Sequence, residues 1–109
     1  MQTLKLEGLF TYFDDRYDQM VLCLFDDKYI QKLKNTNCKV TEYNRAPDDE
    51  IRARASVRIK VPKSSELNVF IRQYISLEVT VKVRIKNYNF VNKEGDQKIG
   101  KSLYLQCID

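Results

Sequence analysis

The stretch LEVTVKVRIKNYNF, residues 77–90, alternates apolar and polar side chains along most of its length. Successive side chains of a β-strand point to opposite faces, so this alternation predicts one long strand with one buried face. The positions predicted to point inward are Leu77, Val79, Val81, Val83 and Ile85. Those of opposite parity are Glu78, Thr80, Lys82, Arg84, Lys86, Tyr88 and Phe90. The outer face is therefore cationic and ends in two aromatic rings.

The flanking segments predict a second strand on one side and a helix on the other. Residues 92–96 contain Gly95 and predict a turn, and residues 98–108 predict a closing strand. The inward positions of that strand are Leu103, Leu105 and Cys107. Upstream, apolar residues recur at the i, i+3, i+4, i+7 spacing of a helix, and Ser64 or Ser65 precedes them as a cap. These residues are Leu67, Phe70, Ile71 and Tyr74.

The rest of the chain predicts three further strands and one more helix. Residues 51–61 alternate again and predict a strand whose outward side chains are Arg52, Arg54, Ser56, Arg58 and Lys60. Residues 3–13 and 19–25 predict a hairpin around the polar turn 14–18, with Gly8 marking a bulge or a sharp coil. Asp26 or Asp27 is expected to cap a helix that ends near Asn35. Residues 36–50 lack periodicity and predict a long surface loop.

Taken together, these elements predict one all-β domain over residues 1–109 with one or two short helices. Five alternating strands, with a helix between the third and fourth, resemble a five-stranded OB-fold barrel, here with a helical and loop insertion after the second strand. Residues 77–90, the turn around Gly95 and the stretch IGKSLYL at 99–105 resemble the closing hairpin of OB-fold single-stranded DNA-binding proteins. Small viral, phage and plasmid proteins belong to that group. The resemblance covers about a third of the chain.

Composition argues against several classes of function. The chain has no histidine, which removes the commonest general base, and no motif supplies a nucleophile with a base, so we expect no enzyme activity and no cofactor. Three cysteines without CxxC spacing argue against a disulfide framework and a zinc site, and Cys23 and Cys107 are interpreted as small buried side chains. The acidic clusters at 14–18, 26–27 and 48–50 lack calcium-loop spacing and are interpreted as turns and caps, so no metal is expected. Without an apolar span or signal peptide, we expect an intracellular protein of the cytoplasm or nucleus.

Charge divides the chain into two unequal halves. Residues 1–50 hold 7 Lys and Arg against 10 Asp and Glu, a net of −3, whereas residues 51–109 hold 12 against 5, a net of +7. Outward side chains of one strand recur about every 6.6 Å, close to the length of one nucleotide in an extended strand. Cations at this spacing would track phosphates, while Tyr88 and Phe90 would stack on bases. The candidate nucleic-acid-binding residues from these rows are Arg52, Arg54, Arg58, Lys60, Lys82, Arg84, Lys86, Tyr88 and Phe90. The resemblance to OB-fold proteins, whose ligands lie across the second and third strands and the adjoining loops, implies Lys93 as well, with Tyr12 and Tyr17 as further contributors.

Two interpretations of this surface remain open on the sequence. The first is a non-catalytic protein that binds single-stranded DNA or RNA during replication, recombination or repair. The second is a small OB-like adaptor, or a viral protein that binds a host partner, with contacts through the acidic N-terminal half and the 36–50 loop. Rows of Lys and Arg are also common on solvated strand faces, where they prevent edge aggregation. Strand pairing, which decides whether the two cationic rows share a groove, does not follow from the sequence.

Overall fold

The protein is a closed β-barrel of five strands with two short helices. A computed structural model describes residues 2–44 and 52–109. Its elements are β1 (Thr3–Asp14), β2 (Gln19–Leu24), α1 (Asp27–Asn35), β3 (Thr41–Glu42), β4 (Ala55–Lys60), α2 (Glu66–Phe70), a 3-10 turn (Ile71–Tyr74), β5 (Glu78–Val91) and β6 (Gln97–Ile108). Within this part of the chain, no helix is long and apolar enough to cross a membrane.

The barrel closes through four antiparallel pairs and one parallel pair. β1 lies between β2 and β5, β2 also pairs with β4, and β5 pairs with β6, all antiparallel. A parallel contact between Lys60 of β4 and Tyr104 of β6 completes the ring. The two-residue strand β3 adds to the outer edge of β4. This arrangement confirms the predicted OB-like all-β fold.

The core is built from the inward parity of each strand, as alternation predicts. Val79, Val81, Val83 and Ile85 of β5 are all buried, and they pack with the inward side chains of the other strands. Helix α1 covers the barrel through Tyr29, Ile30 and Leu33. The carboxylate of Asp26 caps this helix by accepting a hydrogen bond from the backbone N–H of Lys28 at 3.0 Å. The predicted helix and its cap are therefore confirmed.

Three predicted positions differ at the ends of elements. The strand expected at 51–61 begins only at Ala55, where pairing with β2 begins, so Arg52 and Arg54 precede it. Leu77 was expected to point inward but is 50% exposed, because β5 begins after it. The predicted helix over Leu67 to Tyr74 divides into α2, capped by Ser65, and a 3-10 turn, which leaves Phe70 exposed and Ile71 buried.

Two of the three cysteines lie differently from the prediction. The pairing of β5 with β6 shifts between Lys82 and Val83, so Cys107 lies opposite Lys82 and Leu105 opposite Val83. The extra residue of this bulge reverses the parity of β6, and Ile108 takes the position against the core that Cys107 was expected to occupy. Cys23 and Cys107 are both half-buried, whereas Cys38 is buried.

Two other predictions concern Gly8 and the 36–50 loop. Gly8 marks a close approach rather than the bulge itself, since a Cβ there would lie 2.3 Å from the carbonyl oxygen of Cys23. The bulge between β1 and β2 lies further along β1, between Phe10 and Tyr12. The loop contains β3, and its residues 45–50 lie outside the described part of the chain, as does position 51.

Candidate functional site

Strand β6 brings one residue of the first predicted cationic row, Lys60, onto the same surface as the second row. Its neighbours are β4 on one side, through Lys60, and β5 on the other, so Lys60 and the outward side chains of β5 flank it. The ammonium of Lys86 lies 4.4 Å from the ring centroid of Tyr104, and that of Lys60 lies 5.5 Å from the same centroid. We call this surface the β6 face. Its residues are Lys60, Lys82, Arg84, Lys86, Tyr88, Phe90, Lys98 and Tyr104.

Tyr104 is the central residue of the β6 face, and it is not among the binding residues predicted from the sequence. Alternation with the buried Leu103 and Leu105 already places its side chain on the outside. Its importance depends on register, because Tyr104 pairs with Arg84 on β5 and with Lys60 on β4. An ammonium over an exposed tyrosine ring gains about 0.5–1 kcal/mol. The ring therefore keeps two cations from separate strands close to each other.

Arg84 is oriented by a neutral partner. In the amide orientation that satisfies hydrogen bonding, the side-chain oxygen of Gln106 accepts from Nη2 of Arg84 at 2.7 Å and from Nε at 2.8 Å. Gln106 is the extra residue of the β6 bulge, which places its side chain beside Arg84. Because the amide carries no charge, the guanidinium is positioned without being neutralised.

The aromatic end of the β6 face lies on a two-stranded arm. β5 and β6 continue beyond the barrel, and every residue of β5 from Lys86 to Val91 is exposed. The rings of Tyr88 and Phe90 lie 5.7 Å apart at 38° and remain 48% and 42% exposed. Tyr88 pairs with Gly100, where a Cβ would lie 2.3 Å from the ring, so only glycine lets the ring lie over β6.

The arm ends in a tight turn that carries Lys93. The side-chain oxygen of Asn92 accepts from the backbone N–H groups of Glu94 at 3.1 Å and Asp96 at 2.9 Å. Gly95 has φ of 85°, the left-handed region that glycine adopts without strain. Lys93 is exposed in this turn, between Asn92 and Glu94, so it lies beyond the two rings rather than among the cations of the barrel.

Arg58 points outward from β4 as predicted, but its guanidinium contacts residues of β1 and β2 rather than β6. Its guanidinium donates to the carboxylate of Asp14 at 3.1 Å, to the hydroxyl of Tyr12 at 2.8 Å and to Gln19 at 3.2 Å. Burial tends to raise the pKa of Asp14, yet hydrogen bonds from Arg58 and from the backbone N–H of Arg16 lower it overall. The hydrogen bond to Asp14 also raises the pKa of Arg58. The charge of Arg58 is therefore matched inside the protein.

The remaining predicted residues lie away from the β6 face. Arg52 and Arg54 are exposed in the segment before β4, and the backbone of Arg54 bonds to Leu24 and Tyr43. Tyr12 belongs to the Arg58 network on the far side of β2, and Tyr17 is exposed in the first turn beneath Arg16. The structure thus brings together Lys60, Lys82, Arg84, Lys86, Tyr88 and Phe90, and separates the others.

The acidic residues of the first turn make contacts that explain their presence. Asp14 holds Arg58, Asp15 holds Arg72, and the carboxylate of Asp18 accepts from the amide of Asn68 at 3.4 Å. Arg72 also lies 4.4 Å from the centroid of the Phe13 ring. Within residues 2–44 and 52–109, no group of three His, Cys, Asp or Glu side chains is placed to hold a metal ion.

No protein-family model matches this chain, and no curated protein matches it either.

Proposed function

We propose that this chain is a non-catalytic single-stranded nucleic-acid-binding protein, with single-stranded DNA as its ligand, that acts in replication, recombination or repair. One observation carries the proposal: Lys60 and Lys86 converge on Tyr104 from two strands, on the face that also exposes Tyr88 and Phe90. Nucleic-acid binding without sequence preference needs this combination of a cationic surface and aromatic platforms.

The cations of the β6 face are available to an external anion. In the part of the chain that the structure describes, the ion-paired cations are Arg16, Lys28, Lys34, Arg58 and Arg72. None of these belongs to the β6 face. At the paired positions of the neighbouring strands, Lys60 lies beside Gln19 and Arg84 lies beside Tyr104. In the same way, Lys86 lies beside Ser102 and Lys98 lies beside Phe90. Within the described residues, phosphates bound at these four cations would replace no ion-paired carboxylate.

The spacing along β5 suits an extended single strand. Arg84 and Tyr88 are four residues apart, which corresponds to about 13 Å along a strand. A single strand stretched to about 6–7 Å per nucleotide would cover that distance with about two nucleotides. Phosphates over the lysines would then present bases to the exposed rings. Stacking on those rings requires unpaired bases, which is why a single strand fits better than a duplex.

The aromatic pair provides the most direct test. Each stacked base contributes about 1–3 kcal/mol, so we expect Tyr88→Ala/Phe90→Ala to weaken binding to a short oligothymidine at least about tenfold. Fluorescence anisotropy at low salt measures this, with parallel duplex and RNA probes. Tyr17→Ala is the control, since Tyr17 is also an exposed ring but lies in the first turn. An absence of binding at low salt, or equal effects of the two variants, would contradict the proposal.

A recess near the other end of β5 favours the alternative, a protein-binding adaptor. It has a volume of about 350 Å³ and is lined by Glu7, Asp26, Glu78 and the rings of Phe25 and Tyr29. Such a recess would accept a basic, partly apolar segment of another protein. A stoichiometric protein partner that remains bound after nuclease treatment and is lost in Glu7→Gln/Glu78→Gln would support this function over nucleic-acid binding.

A further inference from the structure

Strand β4 exchanges one neighbour for another along its length, and this opens a cleft. At Lys60 it pairs with Tyr104 of β6, whereas at Ala55 and Ser56 it pairs with β3. Between these points β6 diverges from β4 toward the arm. The gap has a volume of about 280 Å³, and we call it the fork.

The fork is lined by groups that bind anions. Three lysines from separate segments border it: Lys39 before β3, Lys60 at the end of β4 and Lys101 at the base of the arm. Three residues that carry hydroxyl groups, Thr41, Ser56 and Ser102, also line it. Arg58 also borders the fork, but its guanidinium is held by Asp14. Among the described lining residues there is no carboxylate.

We propose that the fork binds a phosphate group and anchors the phosphorylated end of a strand that lies on the β6 face. This rests on the proposed function but uses two lysines, Lys39 and Lys101, that the β6 face does not include. A terminal phosphate monoester carries a charge of about −1.5 to −2 and three acceptor oxygens, more than an internal phosphodiester offers. Three ammonium groups and three hydroxyls match that charge and those acceptors.

The shape of the fork favours an end over a passing strand. Its apex is closed by the pairing of Lys60 with Tyr104, and its open side is bounded by β3. Glu42 of β3 is ion-paired with Lys34, so the two charges next to the fork on the side away from β6 balance each other. A polyanion that reached the fork from the β6 face would therefore gain no net attraction from this pair if it continued further.

The test compares three label-free oligothymidines of equal length by calorimetry: one with a 5′-phosphate, one with a 3′-phosphate and one with hydroxyls at both ends. We expect one phosphorylated form to bind about tenfold more tightly than the unphosphorylated one, because several charge-assisted hydrogen bonds are added. Lys39→Gln/Lys101→Gln should remove that difference and leave the unphosphorylated oligonucleotide bound as before. Lys32→Gln is the matched control, because Lys32 lies on α1 beside Tyr29.

A second probe separates this inference from the proposed function. Inorganic pyrophosphate should shift the backbone amide NMR signals of Thr41, Ser56 and Ser102 in the wild type, and not in Lys39→Gln/Lys101→Gln. If the three oligonucleotides bind equally, the fork is not an end anchor, although the β6 face still binds nucleic acid. If no oligonucleotide binds but pyrophosphate shifts these signals, the phosphate site stands and the proposed function fails. If pyrophosphate shifts none of them, the fork is not a phosphate site.

Discussion

Arg58 and Lys60 lie two residues apart on the same face of β4, but their charged groups contact different partners. Arg58 reaches across β2 to the carboxylate of Asp14, which is only 8% exposed, and to the hydroxyl of Tyr12. Lys60 points the other way, to the ring of Tyr104 on β6. One cation is satisfied by the fold, and the other remains available to an anion from outside. Parity alone therefore does not identify a binding residue.

The same division runs through the whole barrel. The acidic residues of the first turn neutralise the C-terminal cations that can reach them, Arg58 through Asp14 and Arg72 through Asp15. The cations around β6 face strands that carry hydroxyl, amide and aromatic side chains at the paired positions. The charge difference between the halves of the sequence thus becomes a difference between two sides of one barrel: cations on one side are ion-paired, and those on the other make no ion pair within the described residues.

Among the variants that compare the two sides of the barrel, the largest expected effect comes from removing the two lysines that contact Tyr104. Lys60→Gln/Lys86→Gln should weaken binding to single-stranded oligothymidine about tenfold at low salt. The slope of log K against log salt should fall by about 1.4, since each phosphate contact to a single strand contributes about 0.7. The melting temperature should stay close to that of the wild type, because neither lysine makes an ion pair within the described residues.

Anisotropy titrations across a series of salt concentrations measure that slope. The matched control is Lys28→Gln/Lys32→Gln, which removes two lysines that lie over the ring of Tyr29 on α1. If both double variants change the slope equally, the protein responds only to net charge, and the distinction between the two sides of the barrel does not hold.

The paired side should respond in stability rather than in binding. Arg58→Gln removes the guanidinium that Asp14, Tyr12 and Gln19 share, so we expect a fall of several degrees in melting temperature at pH 7. Burial raises the pKa of Asp14, but its hydrogen bonds lower it overall, so this contact stabilises the protein above the unfolded carboxyl pKa of about 3.9. That stabilisation is lost as the pH falls through the lower folded value.

The difference in melting temperature between Arg58→Gln and the wild type should therefore narrow as the pH is lowered below about 4, because only the Asp14 part of the contact is lost. Scanning calorimetry between pH 2.5 and pH 7 would show the narrowing. A gap that stays constant over this range would mean that the Asp14 contact does not account for the loss. A loss of oligonucleotide affinity as large as that of Lys60→Gln/Lys86→Gln would place Arg58 on the binding side after all.

The sequence predicted the barrel because its signals are local. Alternation in residues 77–90 fixed the inward side chains of β5 from Val79 onward, and Asp26 marked the start of α1. The ends of the strands were harder to predict. Arg52 and Arg54 continue the alternation of β4, but β2 ends at Leu24, so the pairing that would extend the strand is missing. A bulge such as the one at Gln106 leaves no periodic signal.

The site was harder to predict than the fold because it depends on register and side-chain direction. The outward parity of Tyr104 is visible in the sequence, but its contacts with Lys60 and Lys86 arise from pairing across three strands. The pairing of Arg58 with Asp14 joins residues 44 positions apart. Gly100 offered one usable signal, since a glycine in an alternating strand often marks a close approach by another group, here the ring of Tyr88.

The smallest expected effect concerns Tyr104 as the residue that positions the two lysines. Tyr104→Leu removes the ring while keeping an apolar side chain, whereas Tyr104→Phe keeps the ring and removes only the hydroxyl. A cation–π contact at an exposed site is worth about 0.5–1 kcal/mol, so we expect Tyr104→Leu to weaken binding about two- to fivefold. Tyr104→Phe should bind like the wild type, since its ring still attracts both ammonium groups.

The two variants also distinguish positioning from direct contact. If Tyr104 acts through Lys60 and Lys86, Tyr104→Leu should have no further effect in a Lys60→Gln/Lys86→Gln background, because the groups it holds are absent. An additional two- to fivefold loss in that background would instead mean that the ring touches the nucleic acid itself. Equal losses in Tyr104→Leu and Tyr104→Phe would assign the effect to the hydroxyl. The melting temperature of each variant, measured in parallel, shows whether a loss of affinity comes from lost contacts on the β6 face or from a less stable fold.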